Sequence, residues 1–342
     1  MGNYIPRQAN LGNMAFNYFQ RGEDWVEGAN CLEQSPIDII PEETEPNDKD
    51  MKMELFLTDH DLMGLKVLDT GNSLQVNGPF SKLLATDVEG DAYEYEALQF
   101  HFHAPAEHSI CGGYYDLEMH IVHKITPRCV KKGGVKRDLA VVGIFFEVDE
   151  DPDAKPHPFL EALMLHDSNS DVSLNMNELF KKDLQNYETY YAYKGSLTVP
   201  PCSANANWYV IEKPLMITKH QLEHFDLRWK DNPEYAGGHG NNRPVQPLNG
   251  RIVMQSKNCC IMSRSQESVR QFLLEEKLLG SPLVSKLQID RDLVFEALSL
   301  DQSHMDHIHG FVDGHSGKHD PHGHPHDHHL TNQVNQHGHD DH

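Results

Sequence analysis

The chain reads as a mainly β, α+β protein: one strand-rich domain, then a helical extension and an unfolded tail. Three observations predict this. Short runs with period-2 alternation or β-branched enrichment recur through residues 1–255, separated by Gly, Pro, Asn and Asp. Helical signals in that stretch are few and short. From His304 onward the composition narrows to His, Asp, Gly and Pro.

Strands are expected at Ser73 to Val76, Tyr95 to His103, Leu117 to Lys124, Leu139 to Val148 and Trp208 to Glu212. A helix is expected over Phe159 to Leu165. Another should follow Thr218, because Thr218-Lys-His-Gln221 has the form of a capping box, in which hydroxyl and amide side chains satisfy each other's backbone N–H groups. Residues 256–303 shift in composition. Ser263-Arg-Ser-Gln266 repeats the capping pattern. Val269, Phe272, Leu273 and Leu279 fall near helical spacing, and Gly280 and Pro282 end the run. A second amphipathic stretch covers Leu283 to Leu300. The expected arrangement is a helical hairpin over part of the main domain, with a partner-binding or oligomerisation role as the alternative. Residues 304–342 hold thirteen of the 24 histidines. They cannot bury enough apolar surface to fold, and they suit weak, exchangeable binding of extra zinc, nickel or copper ions.

A net charge of −23, from 29 basic and 52 acidic side chains, disfavours nucleic acid and anionic lipid as partners. There is no eighteen-residue apolar run, so no membrane span is expected. Met1-Gly-Asn-Tyr-Ile-Pro-Arg7 lacks an apolar signal-peptide core, and Pro6 stands where a myristoylation signal wants Ser or Thr. The six cysteines match no zinc ribbon and no C-x-x-C motif. Their count does not choose between thiols and disulfides.

Chemistry concentrates in Gln99-Phe-His-Phe-His103 and Glu118-Met-His120. Side chains alternate along a strand, so His101 and His103 share a face, as do Glu118 and His120. If the two strands are neighbours, three imidazoles converge. Three neutral nitrogens with one open position form the ligand set of a catalytic zinc site rather than a structural one. Each ligating imidazole normally donates its second N–H to a carboxylate or carbonyl. Gln99 and Glu118 each precede a ligand by two residues and can serve that purpose.

Further motifs give the chain a family resemblance. Gln34-Ser-Pro-Ile-Asp-Ile39, Gln99-Phe-His-Phe-His103, Ala106-Glu-His-Ser109, Glu118-Met-His-Ile-Val-His123, Leu139-Ala-Val-Val-Gly-Ile-Phe145, Gly195-Ser-Leu-Thr-Val-Pro-Pro201 and Asn241-Asn-Arg-Pro-Val-Gln-Pro247 occur in that order. Over residues 14–255 the sequence resembles an α-class carbonic anhydrase. The resemblance implies a central twisted, mostly antiparallel sheet with short peripheral helices. It implies reversible hydration of carbon dioxide to bicarbonate and a proton by zinc-bound hydroxide. His101, His103 and His120 would hold Zn2+, with Gln99, Glu118 and the carbonyl of Asn241 behind them. Thr198 would orient the hydroxide and pass its own proton to Glu107. Val122, Val141, Leu197 and Trp208 would wall the substrate pocket, Val199 would extend its mouth, and Tyr18 would join the water network. His108 and His123 would be buried scaffold.

The resemblance also implies a disulfide between Cys31 and Cys202. That bond points to an oxidising compartment: secreted, organelle lumen or periplasm, with a cytoplasmic location left open. A Cys111–Cys129 pair lacks support in the family pattern, and Cys259 and Cys260 remain open. One position departs from the family. Where it commonly places a proton-shuttling His, this chain has Asn72, which cannot carry a proton at neutral pH. The alternatives are a non-catalytic binding or structural module on the same fold, and a metal buffer acting through the tail.

Overall fold

A computed structural model describes residues 16–25, 31–46, 51–58, 61–127, 137–165, 171–180, 189–257 and 259–263. The helices expected over 264–300, the His-rich tail and Cys129 lie outside the described residues.

Alternating apolar patterns become strands β1 (Glu45–Pro46), β2 (Met53–Leu57), β3 (Leu74–Asn77), β4 (Ser81–Thr86), β5 (Ala92–His103), β6 (Leu117–Ile125), β7 (Leu139–Val148), β8 (Tyr190–Gly195), β9 (Ala206–Ile217), β10 (Met254–Ser256) and β11 (Cys259–Ser263). Ten of them run in the spatial order β11-β2-β4-β5-β6-β7-β9-β8-β10-β1. β3 pairs with β5, and Leu68–Asp69 pairs with β3, which makes twelve strands among the described residues. The sheet is mixed but mostly antiparallel. Its parallel pairs are β7 with β9, β10 with β1, and β11 with β2. β11 carries the sheet past residue 255, into the segment expected to begin the helical extension.

The central strands β5, β6 and β7 are covered on both faces, so the side-chain parity of each strand sorts its residues between two environments. One parity (Phe100, Phe102, Met119, Ile121, Val142, Ile144) packs into the larger apolar core. The other (Val122, Val141, Phe145) forms, with Trp208 of β9, a smaller cluster on the opposite face. Full burial of each such side chain contributes about 1.5–3 kcal/mol, so the register is strongly specified. A one-residue slip would move the histidines into the larger core.

Among the described residues, two short α-helices pack at the periphery. α1 (Pro158–Ala162) begins with Pro at its first position and buries Phe159 and Leu160. α2 (Lys219–Asp226) opens on the capping box read from the sequence, with Thr218 accepting from the Gln221 backbone N–H. Among the described residues, no helix is long and apolar enough to cross a membrane.

Candidate active site

Antiparallel pairing of β5 with β6 sets His120 directly across from His101, and Glu118 across from His103. His101, His103 and His120 each offer a nitrogen within 4.8 Å of the others. The remaining ring nitrogens are committed. His101 Nδ1 donates to Gln99 Oε1 at 2.9 Å, His103 Nδ1 to the Asn241 carbonyl at 2.8 Å, and His120 Nε2 to Glu118 Oε1 at 2.8 Å. These bonds fix the tautomers, so the lone pairs of His101 Nε2, His103 Nε2 and His120 Nδ1 are left for the shared centre.

His103 Nε2 is buried and has no hydrogen-bond partner. An unmet buried acceptor costs about 1–3 kcal/mol, which a ligand at the centre would recover. Burial holds all three imidazoles below the ordinary histidine pKa, His103 down to about 4. They are therefore neutral at pH 7, and a cation need not displace protons to bind. By donor type, burial and tautomer, this set fits zinc.

Glu118 anchors the group behind the histidines. Its Oε2 accepts the backbone N–H of Glu107 and of His108, both at 2.8 Å, and its Oε1 also accepts from His108 Nδ1 at 2.7 Å. Burial alone would raise its pKa. His108 and His120 overcome this and hold it well below the carboxylate range. His108 Nε2 lies 2.7 Å from the Tyr193 hydroxyl, which is 2.9 Å from Ser35 Oγ.

Glu107 is buried beside the centre, its Oε2 3.5 Å from His103 Nε2 and 3.8 Å from His120 Nδ1. The Thr198 side chain hydrogen-bonds it, and its Oε1 accepts from the Arg243 backbone N–H at 2.8 Å. Burial pushes its pKa up to about 7 against the pull of His120, Thr198 and Arg243. A positive charge among the histidines would favour its carboxylate form.

Val122, Val141 and Trp208 are buried in adjacent register beside His120. Leu197 and Val199 flank the buried Thr198 and are half-buried, but Val199 packs against the larger core rather than this cluster. Tyr18 is buried with its ring edge-on to Phe16 and Trp25, and burial followed by the Glu107 charge keeps its phenol protonated.

Asn72 is 7% exposed and bonded on every side. Its Nδ2 donates to the Phe16 carbonyl at 2.9 Å, its Oδ1 accepts from Tyr235 at 3.3 Å, and its carbonyl accepts from Asn241 Nδ2 at 2.8 Å. His123 belongs to the other parity of β6. Its Nδ1 donates to the Ile121 carbonyl at 3.0 Å and its Nε2 meets Ser81 Oγ at 2.9 Å.

The expected Cys31–Cys202 disulfide is not formed. The loop bearing Thr198 is braced by hydrogen bonds instead. Gln34 Nε2 donates to the Cys202 carbonyl at 3.0 Å, and the Ser35 N–H donates to Ser196 Oγ at 2.9 Å. The expectation of an oxidising compartment rested on that bond.

Several site residues were not singled out from the sequence. Arg243 Nη1 donates to Gln34 Oε1 at 2.9 Å and to the Ser35 carbonyl at 2.7 Å, joining the 34–35 and 241–243 segments behind Glu107. Gly143 stands opposite His120, where a Cβ would come within 3.1 Å of Glu118 Oε1. Gly240 holds φ +93° beside the Ala104 carbonyl, which a Cβ would strike. The Asn-Asn-Arg-Pro run following Gly240 was the available signal for this corner.

Comparison with known proteins agrees with this geometry. The family model for eukaryotic-type carbonic anhydrase matches residues 20–257. The chain belongs to the eukaryotic-type carbonic anhydrases. A carbonic anhydrase of Klebsiella pneumoniae is 31% identical over 239 residues, covering 68% of this chain and 84% of that protein. One from Nostoc sp. is 31% identical over 233 residues, 65% of this chain and 75% of that protein. The structure of the α-carbonic anhydrase of Thermovibrio ammonificans with the inhibitor sulfanilamide superposes with a TM-score of 0.51 at 28% identity, covering 71% of this chain and all of that one. Carbonic anhydrase activity and the mostly antiparallel sheet follow for this chain.

Proposed function

We propose that the chain hydrates carbon dioxide reversibly to bicarbonate and a proton, with Zn2+ held by His101, His103 and His120. The observation that carries this is the set of three lone pairs fixed on one centre, with His103 Nε2 buried and unmet. Zinc, when bound, lowers the pKa of a water to about 7 and so supplies a nucleophile at neutral pH.

The chain's own residues do the rest. Thr198 donates its proton to Glu107, so its oxygen can only accept from the nucleophile. That turns a lone pair of the nucleophile toward the substrate, an orientation effect. Val122, Val141 and Trp208 offer carbon dioxide an apolar wall without competing polar groups. The Thr198 backbone N–H is the donor for bicarbonate. The non-catalytic alternative would be favoured by loss of a ligand or of the Thr198–Glu107 pair, and this chain keeps them all.

The released proton meets Asn72, an amide committed to Phe16 and Tyr235. A soluble buffer must therefore accept it. Stopped-flow hydration on the zinc-loaded protein should show turnover that rises with buffer concentration. Absence of hydration overturns the enzymatic reading. Fast turnover independent of buffer overturns the role given to Asn72.

A further inference from the structure

At one end of the sheet, β11, β2, β4 and β5 lie side by side. Leu55, Leu83 and Tyr95 pair across β2, β4 and β5 and enter the larger core. The alternate residues face away from it. Glu54 pairs with Leu84 and Leu84 with Glu94, while Phe56 pairs with Lys82 and Lys82 with Glu96. The charged side chains mark this as an outer face, yet Phe56 and Leu84 are each only 8% exposed. Neither apolar cluster of the described residues includes them. Their cover therefore comes from outside those clusters.

Glu54 adds a polar requirement. Its Oε2 is shielded from solvent and has no hydrogen-bond partner. Burial pushes its pKa up to about 7, and Lys52 offsets this only in part. Two apolar side chains beside an unmet carboxylate oxygen fit an amphipathic helix with a cation flanking its apolar stripe.

The chain supplies such a segment at this spot. β11 runs parallel to β2 and sets Ser263 beside Leu57, one residue past Phe56. Residues 264–279 follow directly. Val269, Phe272, Leu273 and Leu279 form a stripe at helical spacing, and Arg270 and Lys277, about two turns apart, flank one side of it. As a helix this segment would span about 24 Å, against about 14 Å for the three strand spacings from β11 to β5. Residues 128–136 are also basic, but Gly133-Gly134 interrupts them and Val130 and Val135 are their largest apolar side chains.

We propose that residues 264–279 form a helix docked on this outer face, with Phe272 and Leu273 against Phe56 and Leu84 and with Arg270 paired to Glu54. The start of the extension is then a fixed part of the catalytic domain.

The test uses the full-length, zinc-loaded protein with a benzophenone photo-crosslinking amino acid in place of Phe272, and crosslinked peptides are mapped by mass spectrometry. Crosslinks should fall on residues 53–57 and 81–86. The same probe in place of Glu267, on the far side of the helix, should give none there. Mixing light and isotope-heavy protein before irradiation separates contacts within a chain from contacts between copies. Absence of crosslinks from position 272 to this face, or crosslinks formed only between light and heavy chains, overturns the docking. The charge pair is read by hydrogen exchange of residues 264–279. Arg270→Glu should speed that exchange about tenfold, and adding Glu54→Lys should restore most of the protection. Carbon dioxide hydration should be unchanged in each variant, which shows the domain folded. Exchange in the parent at the rate of an unstructured chain overturns the docking, and failure of Glu54→Lys to rescue Arg270→Glu overturns the pairing.

Discussion

His120 and His123 lie three residues apart on β6 and face opposite sides of the sheet. Burial is the leading cause of a lowered pKa in both. His123 has its two nitrogens engaged by Ser81 and the Ile121 carbonyl. His120 engages one nitrogen with Glu118, and its other faces a centre shared with two more imidazoles. Burial and a shifted pKa are thus common to scaffold and site. What separates them is an uncommitted lone pair whose direction a neighbour has fixed. A clean break between the two should appear on mutation. His120→Ala should lower kcat/KM for carbon dioxide hydration by at least ~10³-fold, with loss of bound zinc measured by metal analysis. His123→Ala should keep kcat/KM within about threefold and lose about 2–4 kcal/mol of stability to denaturant. If His123→Ala also lost zinc, the two faces would not be separable.

A smaller effect sharpens the role of the residue behind His120. Glu118 accepts from two imidazoles and two backbone N–H groups, and its charge raises the basicity of His120. Glu118→Gln keeps the shape and removes the charge. Zinc affinity, measured by competition with a chelator, should fall about 10–100-fold. Unchanged affinity would mean that geometry alone, and not the carboxylate charge, prepares His120.

The same two-face logic explains what the sequence could reveal. Strand parity made the convergence of His101, His103 and His120 legible, because it follows from local spacing once β5 and β6 are neighbours. The Thr218 capping box was legible for the same reason. Arg243, Tyr193 and Gly143 were less so. Their roles arise from long-range approach: Arg243 reaches Gln34 and Ser35 across two hundred residues of chain, and Gly143 matters because Glu118 comes close to it. Asn72 was legible as a missing histidine, but not as a tied residue whose bonds to Phe16 and to Tyr235 and Asn241 come from two distant segments. The Cys31–Cys202 expectation failed where Gln34 and Ser196 brace the loop without a covalent bond.

The smallest effect tests the scaffold face alone. Burial lowers the His123 pKa from 6.5 to about 4, against the raising effect of its backbone partners. The unfolded chain, with an ordinary histidine, therefore binds the proton first as pH falls. Between about pH 6.5 and pH 4 the unfolded state holds more protons, so stability rises with pH and is lost as pH drops through that window. The full shift corresponds to about 3 kcal/mol, approached at a slope of up to about 1.4 kcal/mol per pH unit. His123→Gln removes the titration while leaving an amide to meet Ser81 and the Ile121 carbonyl. His157, lowered to about 4 by burial as well, titrates equally in both proteins and cancels in the difference. Acid loss of zinc from the opposite face also cancels if the two faces are independent. Denaturant unfolding of zinc-loaded parent and variant at pH 7, 5.5 and 4 should show the parent's advantage shrinking steadily toward acid. A constant difference across the three pH values would mean that His123 does not titrate with unfolding, and that its burial contributes packing alone.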